Sequence, residues 1–261
     1  MFIDSHCHLN FDCFKKDLNH LLVDLKQAHI NHVIIPATDA QHWSDIIALC
    51  EQYPELYFAL GIHPHFLTSI KEGDLALLES TLDNLQRQPR SHCVALGEIG
   101  LDKLIETSME TQESLFLAQL AIAQRLQLPV ILHVVKTQSR ILQLLKQTKF
   151  SYGGVYHAFS GSEEIANEFI KLGFKLGIGG VITHPTAKKT QSTLKNLPLS
   201  SLLLETDAPD MPIYQQQTVY NSPLNIPLIF DALCALREEP RDVIAQQIYN
   251  NSKSIFSIIN D

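Results

Sequence analysis

His6 and His8 stand one residue apart, directly after a short apolar run at the N-terminus. Because side chains alternate along a β-strand, two imidazoles at this spacing point to the same side. Neutral imidazole is a common metal ligand, so the pair can hold one divalent ion from one direction. A structural zinc site would need two further Cys or His ligands nearby, whereas an isolated pair favours partners from distant parts of the chain. Taken alone, the pair is explained equally well by ordinary buried or surface histidines.

Four more residues of ligand type follow later apolar runs, namely Glu98, His133, His157 and Asp207. Each has an ordinary explanation when taken alone: a hydrogen-bonded core histidine, a buried carboxylate paired with an arginine, or the first residue of a turn. Together with the N-terminal pair, however, they end strands in five different units, which favours one shared metal site. Imidazole with carboxylate suits Zn, Mn, Co, Ni or Fe better than Ca.

Six ligands are too many for one open catalytic zinc, so they predict a dinuclear centre. The predicted arrangement is His6, His8 and Asp207 on one ion, His133 and His157 on the other, and Glu98 as the bridge. A base must take the proton of the attacking water. Asp207 is the candidate, because a carboxylate bound through one oxygen can accept a proton with the other. The predicted catalytic residues are therefore Asp207 and Glu98.

Short apolar runs predict the strands that carry these residues. In chain order they are Phe2–Ser5, His32–Pro36, Leu56–Leu60, Cys93–Leu96, Val130–Leu132, Gly154–Tyr156, Phe174–Ile178 and Leu202–Leu204. Several are continuously apolar, as parallel strands covered on both faces require. Helical patterns lie between them, at Lys16–His29, Trp43–Tyr53, Asp74–Gln88, Thr107–Leu126, Gln138–Gln147 and Ser162–Leu172, with a last helix opened by Pro240. Thr107 and Glu110 have the spacing of a capping box.

This alternation of strands and helices predicts an α/β fold, a (β/α)8 TIM barrel. A length of 261 residues suits one such barrel, so residues 1–261 are predicted to form a single domain. No Gly-X-Gly-X-X-Gly motif follows the first strand, which argues against an open doubly wound sheet. In a TIM barrel the chemistry lies at the carboxyl ends of the strands, where the predicted ligands stand.

Composition limits the classes of function. A formal net charge of −8 repels polyanions on average, so a nucleic-acid role has to rest on a local site. No segment has the pattern of a signal peptide or the length of a membrane span, which predicts a cytoplasmic protein without membrane contact. Five scattered cysteines without a Cys-X-X-Cys motif predict reduced thiols. Nothing in the sequence indicates an obligate protein partner, and a monomer is predicted.

Six segments in order closely resemble the TatD family of metal-dependent hydrolases and deoxyribonucleases, within the wider amidohydrolase-like barrels. They are Ile3–His8, Leu60–His65, Ala95–Asp102, Leu128–His133, Gly154–Gly161 and Leu203–Pro209. The segment Glu205–Pro212, with Gly179-Gly180 and Lys188-Lys189, looks most like the YjjV-type branch.

The resemblance implies two divalent cations per subunit, from among Zn, Mn, Mg, Co and Ni, and phosphodiester hydrolysis with a DNA end or a small phosphodiester as substrate. It also implies that His63 and His65 line the mouth of the barrel and contact a substrate phosphate, although a turn around Pro64 explains His65 nearly as well. Many TatD-like chains follow the fifth-strand histidine with Ser-Arg, whereas Val134-Val135-Lys136 follows His133 here, so Lys136 replaces a guanidinium fork only as a point charge. Lys103-Leu104 replaces the family's aromatic pair, which removes a base-stacking surface.

Two other functions stay open at this point. The same ligands serve an amidohydrolase-type reaction on a C–N or ester bond of a small molecule. The negative net charge favours this alternative, because it repels a polyanionic substrate on average. A non-enzymatic factor that binds nucleic acid or protein is the third hypothesis, and it gives no reason for a complete ligand set.

Overall fold

Eight strands, each parallel to the next along the chain, form the sheet of the computed structural model, which describes residues 1–258. They are β1 Phe2–Asp4, β2 Ile30–Pro36, β3 Leu56–Leu60, β4 Cys93–Asp102, β5 Val130–Val135, β6 Gly154–Tyr156, β7 Phe174–Ile178 and β8 Leu202–Leu204. The first and last strands are joined where the backbone N–H of Ser5 donates to the carbonyl of Leu204 at 3.0 Å. The predicted (β/α)8 barrel is confirmed, and every predicted strand is present.

Ten α-helices lie between and after the strands in the described part of the chain. They are α1 Asp12–Lys15, α2 Leu18–Gln27, α3 Trp43–Gln52, α4 Asp74–Gln86, α5 Met109–Leu126, α6 Gln138–Thr148, α7 Glu163–Lys171, α8 Lys188–Asn196, α9 Ile226–Leu236 and α10 Arg241–Ile255. None of the helices in residues 1–258 is long and apolar enough to cross a membrane.

The N-terminus of α5 corrects a detail of the sequence prediction. Ser108, not Thr107, is the N-cap, and its hydroxyl oxygen accepts a hydrogen bond from the backbone N–H of Thr111 at 3.2 Å. The carbonyl of Thr107 instead accepts from the Gln112 side chain at 2.8 Å. The helix therefore begins one residue later than the capping-box spacing predicted.

The barrel wall separates two apolar clusters because neighbouring side chains of a strand point to opposite faces. In β2, Val33 and Ile35 pack towards the helices, whereas Ile34 packs into the barrel interior. Equivalent positions of the other strands share the interior with Ile34, and they are Ile3, Ala59, Ala95, Ile131, Val155 and Leu203. These layers fill the barrel, so substrate can reach only its ends.

Two strands extend beyond their predicted ends, and this places two of the predicted ligands inside strands. β4 continues to Asp102 and includes Glu98, and β5 continues to Val135 and includes His133. The pairing of β4 with β5 shifts register between Leu96 and Ile99, a bulge at Glu98. Because a bulge re-aims a side chain at a barrel rim, Glu98 turns towards the mouth without ending its strand.

Candidate active site

The carboxyl ends of β1 and β8 bring three of the predicted ligands together. The backbone N–H of Asp207 donates to the carbonyl of His6 at 2.8 Å, and that of His8 donates to the carbonyl of Ala208 at 2.8 Å. These bonds continue the parallel pairing past the strands and align the side chains. As a result, Asp207 Oδ1 lies 3.4 Å from His6 Nε2 and 3.5 Å from His8 Nε2.

Glu98 occupies the centre of the site and is almost completely buried, at 2% exposure. Its oxygen Oε2 faces the N-terminal pair, 3.1 Å from His6 Nε2 and 4.0 Å from His8 Nε2. Its other oxygen, Oε1, lies 2.9 Å from His133 Nδ1 and 3.1 Å from His157 Nε2. The two oxygens of one carboxylate therefore face two different sets of histidines.

The charge of Glu98 sets the protonation of its neighbours. Burial raises the pKa of Glu98, but the charges of His157, His63 and His6 outweigh burial and hold that pKa well below its usual range. Burial lowers the pKa of His157, yet the attraction of Glu98 and the contact with Glu205 raise it well above its usual range. For His6, by contrast, burial and the charge of His157 prevail and its pKa is lowered. Around this one carboxylate, therefore, the pKa of His157 is raised and the pKa of His6 is lowered.

The donor set fits divalent metal ions. Ligand atoms of His6, His8 and Asp207 lie within 4.8 Å of one another, as do those of His6, Glu98 and His157. His6 is fully buried, and among residues 1–258 neither of its ring nitrogens has a hydrogen-bond partner. A buried imidazole nitrogen without a hydrogen bond is costly, and a metal ion accepts the lone pair that such a nitrogen offers. The mixture of imidazole and carboxylate suits Zn, Mn, Co or Ni.

His63 and His65 follow β3 and reach the same centre at different depths. His63 is buried at 7% exposure, and its Nε2 lies 3.4 Å from Glu98 Oε1. The side chain of His65 is 48% exposed, and its Nε2 lies 2.9 Å from Asp102 Oδ2. Lys136 is exposed just beyond β5 and lines a cavity of about 580 Å³ next to Asp102. All three predicted substrate contacts thus lie at the mouth, and their role stays a prediction.

Asp102 is a residue of the site that the sequence reasoning did not single out. It is buried at 4% exposure at the end of β4, where its Oδ2 lies 3.1 Å from His133 Nε2. The same oxygen contacts His65. Burial raises the pKa of Asp102, but hydrogen bonds with His133 and His65 hold it below its usual range. The available signal was its place four residues after Glu98 in the quoted Ala95–Asp102 segment.

Two further buried carboxylates support the site from behind, and the sequence reasoning gave neither a role. Glu205 is fully buried, and its Oε1 lies 3.6 Å from His157 Nδ1. Asp4 is also fully buried and accepts from the hydroxyl of Thr206 at 2.6 Å, which ties β1 to the end of β8. Burial raises the pKa of Asp4 to about 8, although hydrogen bonds from Thr206 and from the backbone N–H of His6 lower it.

Fold and site together define a metal-dependent hydrolase built on a TIM barrel, and comparison with known proteins agrees. The model of the family described as TatD related DNase matches residues 3–257, so the chain belongs to the TatD family. The resemblance predicted from the sequence is therefore confirmed.

Individual relatives cover the chain from end to end. It is 44% identical over 258 residues to YjjV of Escherichia coli K12, an uncharacterized metal-dependent hydrolase, with 98% of both chains covered. The crystal structure of YjjV superposes with a TM-score of 0.94 at 42% identity, covering 99% of this chain and 98% of that one. A TatD family hydrolase from Entamoeba histolytica superposes with a TM-score of 0.86 at 23% identity, covering 98% of this chain and 97% of that one, a likeness of fold alone.

Proposed function

We propose that this metal-dependent hydrolase uses two divalent cations to cleave phosphodiester bonds, with a DNA end or a small phosphodiester as substrate. The observation that carries the proposal is the central position of Glu98. Its Oε2 faces His6 and its Oε1 faces His133 and His157, each at about hydrogen-bond distance. A carboxylate that presents one oxygen to each of two ligand sets is suited to stand between two ions.

In the proposed site, His6, His8 and Asp207 hold one ion and His133 and His157 the other, with Glu98 shared. When bound, two such ions lower the pKa of a water molecule and polarise an oxygen of the substrate. Asp207 accepts the proton of the attacking water. Its Oδ1 faces His6 and His8 while its side chain keeps 14% exposure, so Oδ2 is the oxygen left for the proton.

Two arguments support a phosphodiester substrate. The family model that matches the chain is described as TatD related DNase. The mouth also offers groups that suit an anion: His63 and His65 beside the centre, and Lys103 and Lys136 lining the cavity of about 580 Å³ next to Asp102. The two lysines attract phosphate locally, although the net charge of the whole chain is −8. Burial lowers the pKa of His63 to about 4, so this side chain is a neutral hydrogen-bonding group and not a positive charge. No partner chain is needed to complete this set, and we propose a monomer.

A second reaction, hydrolysis of a C–N or ester bond in a small molecule, is favoured by one observation. Arg140 is the arginine that lines this cavity, and its guanidinium group is held in a double contact by Glu113, at 2.6 Å and 2.5 Å. A guanidinium fork is the group that best matches phosphate geometry, and this one is already occupied. The lysines offer only point charges, which serve a carboxylate as well as a phosphate.

A substrate screen on metal-reconstituted protein separates the two reactions. We expect hydrolysis of single-stranded DNA and of bis(p-nitrophenyl) phosphate that disappears on chelation and returns when metal is added. Elemental analysis of the same sample should give two metals per chain. Glu98→Gln and Asp207→Asn serve as inactive controls for contaminating nucleases. Two metals per chain with activity only on cyclic amides would make the second reaction the right one.

We further propose that the protein works in the cytoplasm. All five cysteines are free thiols, and three of them, Cys13, Cys93 and Cys234, are not fully buried. Accessible thiols persist in a reducing compartment, which supports this location.

A further inference from the structure

A histidine that binds a metal through one ring nitrogen carries its proton on the other nitrogen. The partner of that second nitrogen fixes the orientation of the ring and raises its basicity as a ligand. For each proposed metal histidine, the relevant contact is therefore the group next to the ring nitrogen that points away from the centre of the site.

His133 has a carboxylate behind it. Its Nδ1 lies 2.9 Å from Glu98 Oε1, and its Nε2 lies 3.1 Å from Asp102 Oδ2. With a metal ion bound at Nδ1, the ring proton would sit on Nε2 and be donated to Asp102. Asp102 is itself held in place, because its Oδ1 accepts from the backbone N–H of Leu104 at 2.7 Å.

His157 also has a carboxylate behind it. Its Nε2 faces Glu98 Oε1 at 3.1 Å, and its Nδ1 lies 3.6 Å from Glu205 Oε1, an electrostatic contact slightly longer than a hydrogen bond. Glu205 is fully buried, and its Oε1 accepts from the backbone N–H of Ala158 at 2.5 Å. Within residues 1–258, His157 Nδ1 has no hydrogen-bond partner, and Glu205 Oε1 is the carboxylate oxygen in contact with it.

Gly177 in β7 leaves the space that the Glu205 carboxylate occupies. A Cβ atom added at Gly177 would lie 1.9 Å from Glu205 Oε2, so any side chain at this position would displace the carboxylate. A buried charge is expensive unless it is compensated, and His157 is the group with which it is placed in contact.

His6 and His8 differ in this respect. Their Nε2 atoms face Asp207 Oδ1, and their Nδ1 atoms are buried without a hydrogen-bond partner in the part of the chain that the structure describes. The two proposed ion positions are therefore supported unequally.

We propose that Asp102 and Glu205 are positioning residues for the ion held by His133 and His157, and that their loss weakens binding of that ion selectively. The inference rests on the proposed dinuclear site. Neither carboxylate is a ligand in the proposal; each acts through the histidine that it orients.

Equilibrium dialysis of the full chain against buffered free zinc, followed by elemental analysis, tests the proposal. The variants are Asp102→Asn and Glu205→Gln, which keep the shape of the side chain and remove its charge. Asp39→Asn is the matched control, because Asp39 is a buried carboxylate that contacts His42 Nδ1 at 2.9 Å, outside the proposed ligand set. Removing such a partner lowers metal affinity by roughly 10- to 100-fold. At a free zinc concentration that loads two ions into the wild type and the control, we expect each variant to keep one.

Thermal unfolding of the metal-free forms shows whether a variant has simply lost its fold. Gly177→Ala is a third variant, which displaces the Glu205 side chain without removing it. Two ions retained with wild-type affinity in both charge variants would overturn the proposal, as would an equal loss of affinity for both ions. If the wild-type protein bound no zinc, the proposed function itself would be wrong. Failure of the proposed function therefore gives a different result from failure of the positioning role of Asp102 and Glu205.

Discussion

Replacing Glu98 by glutamine should weaken metal binding more than any other isosteric change in the site. Glutamine keeps the volume of the side chain and one oxygen, but it removes the negative charge from a position that is 2% exposed. That charge faces His6 Nε2 at 3.1 Å, His157 Nε2 at 3.1 Å and His133 Nδ1 at 2.9 Å. Cations brought into this ring would then lose the one anion shared by both ligand sets.

The magnitude follows from the cost of leaving a buried charge without its partner, which is about 3–5 kcal/mol. At about 1.4 kcal/mol per tenfold change, the dissociation constant for metal should rise by roughly two to three and a half powers of ten. Isothermal titration of metal-free protein with zinc measures this, and thermal unfolding of the same samples reports the fold. The metal-free variant should stay folded while the rise in Tm caused by zinc is lost. Glutamine-variant protein that binds zinc with wild-type affinity would refute the reasoning.

Three further predictions concern the base, the protonation of the ligands and the core. Asp207→Asn should lower kcat by roughly 10²–10⁴-fold at saturating metal without unfolding the protein; an unchanged kcat in steady-state assays would remove Asp207 as the base. Zinc affinity should fall as the pH falls, because ligand imidazoles must be neutral and contacts with Asp102 and Glu98 raise the pKa of His133 in spite of its burial. Titrations in buffers of different ionisation enthalpy should show proton release, and a pH-independent affinity would be inconsistent with histidine ligands. Ile131→Ala should destabilise the fold by about 2–5 kcal/mol in urea unfolding, since Ile131 is 0% exposed inside the barrel. Val219→Ala, at a position that is 90% exposed, is its control and should change stability by less than about 0.5 kcal/mol.

Much of the fold was predictable because parallel barrel strands have a strong signature. Runs such as Leu202–Leu204 are apolar on both faces, since one face packs into the barrel and the other against helices. The polar residues just after such runs identified the proposed ligands, since the barrel brings the strand ends to one mouth.

Two helices lacked the pattern on which the prediction relied. α8, Lys188–Asn196, buries Thr190 and Thr193 with a single leucine, so its buried face looks polar in the sequence. α9, Ile226–Leu236, is apolar almost all round, and no polar face marks its helical period. Hydrophobic periodicity is read from several apolar residues alternating with several polar ones, whereas α8 has a single large apolar residue and α9 a single charged one.

The supporting carboxylates were missed for a different reason. Asp102 and Glu205 stand within the motifs that contain Glu98 and Asp207, but nothing in their spacing says which of the acids faces the centre. Only the fold places Asp102 against His133, 31 residues away, and Glu205 against His157, 48 residues away. Such pairs arise because the barrel brings the ends of several strands to one mouth, and local sequence does not show them.

The central claim is that two divalent ions held by this ring of histidines and carboxylates drive phosphodiester hydrolysis. A single titration tests it most directly: metal-free protein receives increasing Mn²⁺ or Zn²⁺ while hydrolysis of bis(p-nitrophenyl) phosphate and metal content are measured on the same samples. We expect activity to appear as the second equivalent binds, and we expect Glu98→Gln to show none at any of these concentrations. Full phosphodiesterase activity in the metal-free protein, or a fully loaded protein that leaves phosphodiesters intact, would contradict it.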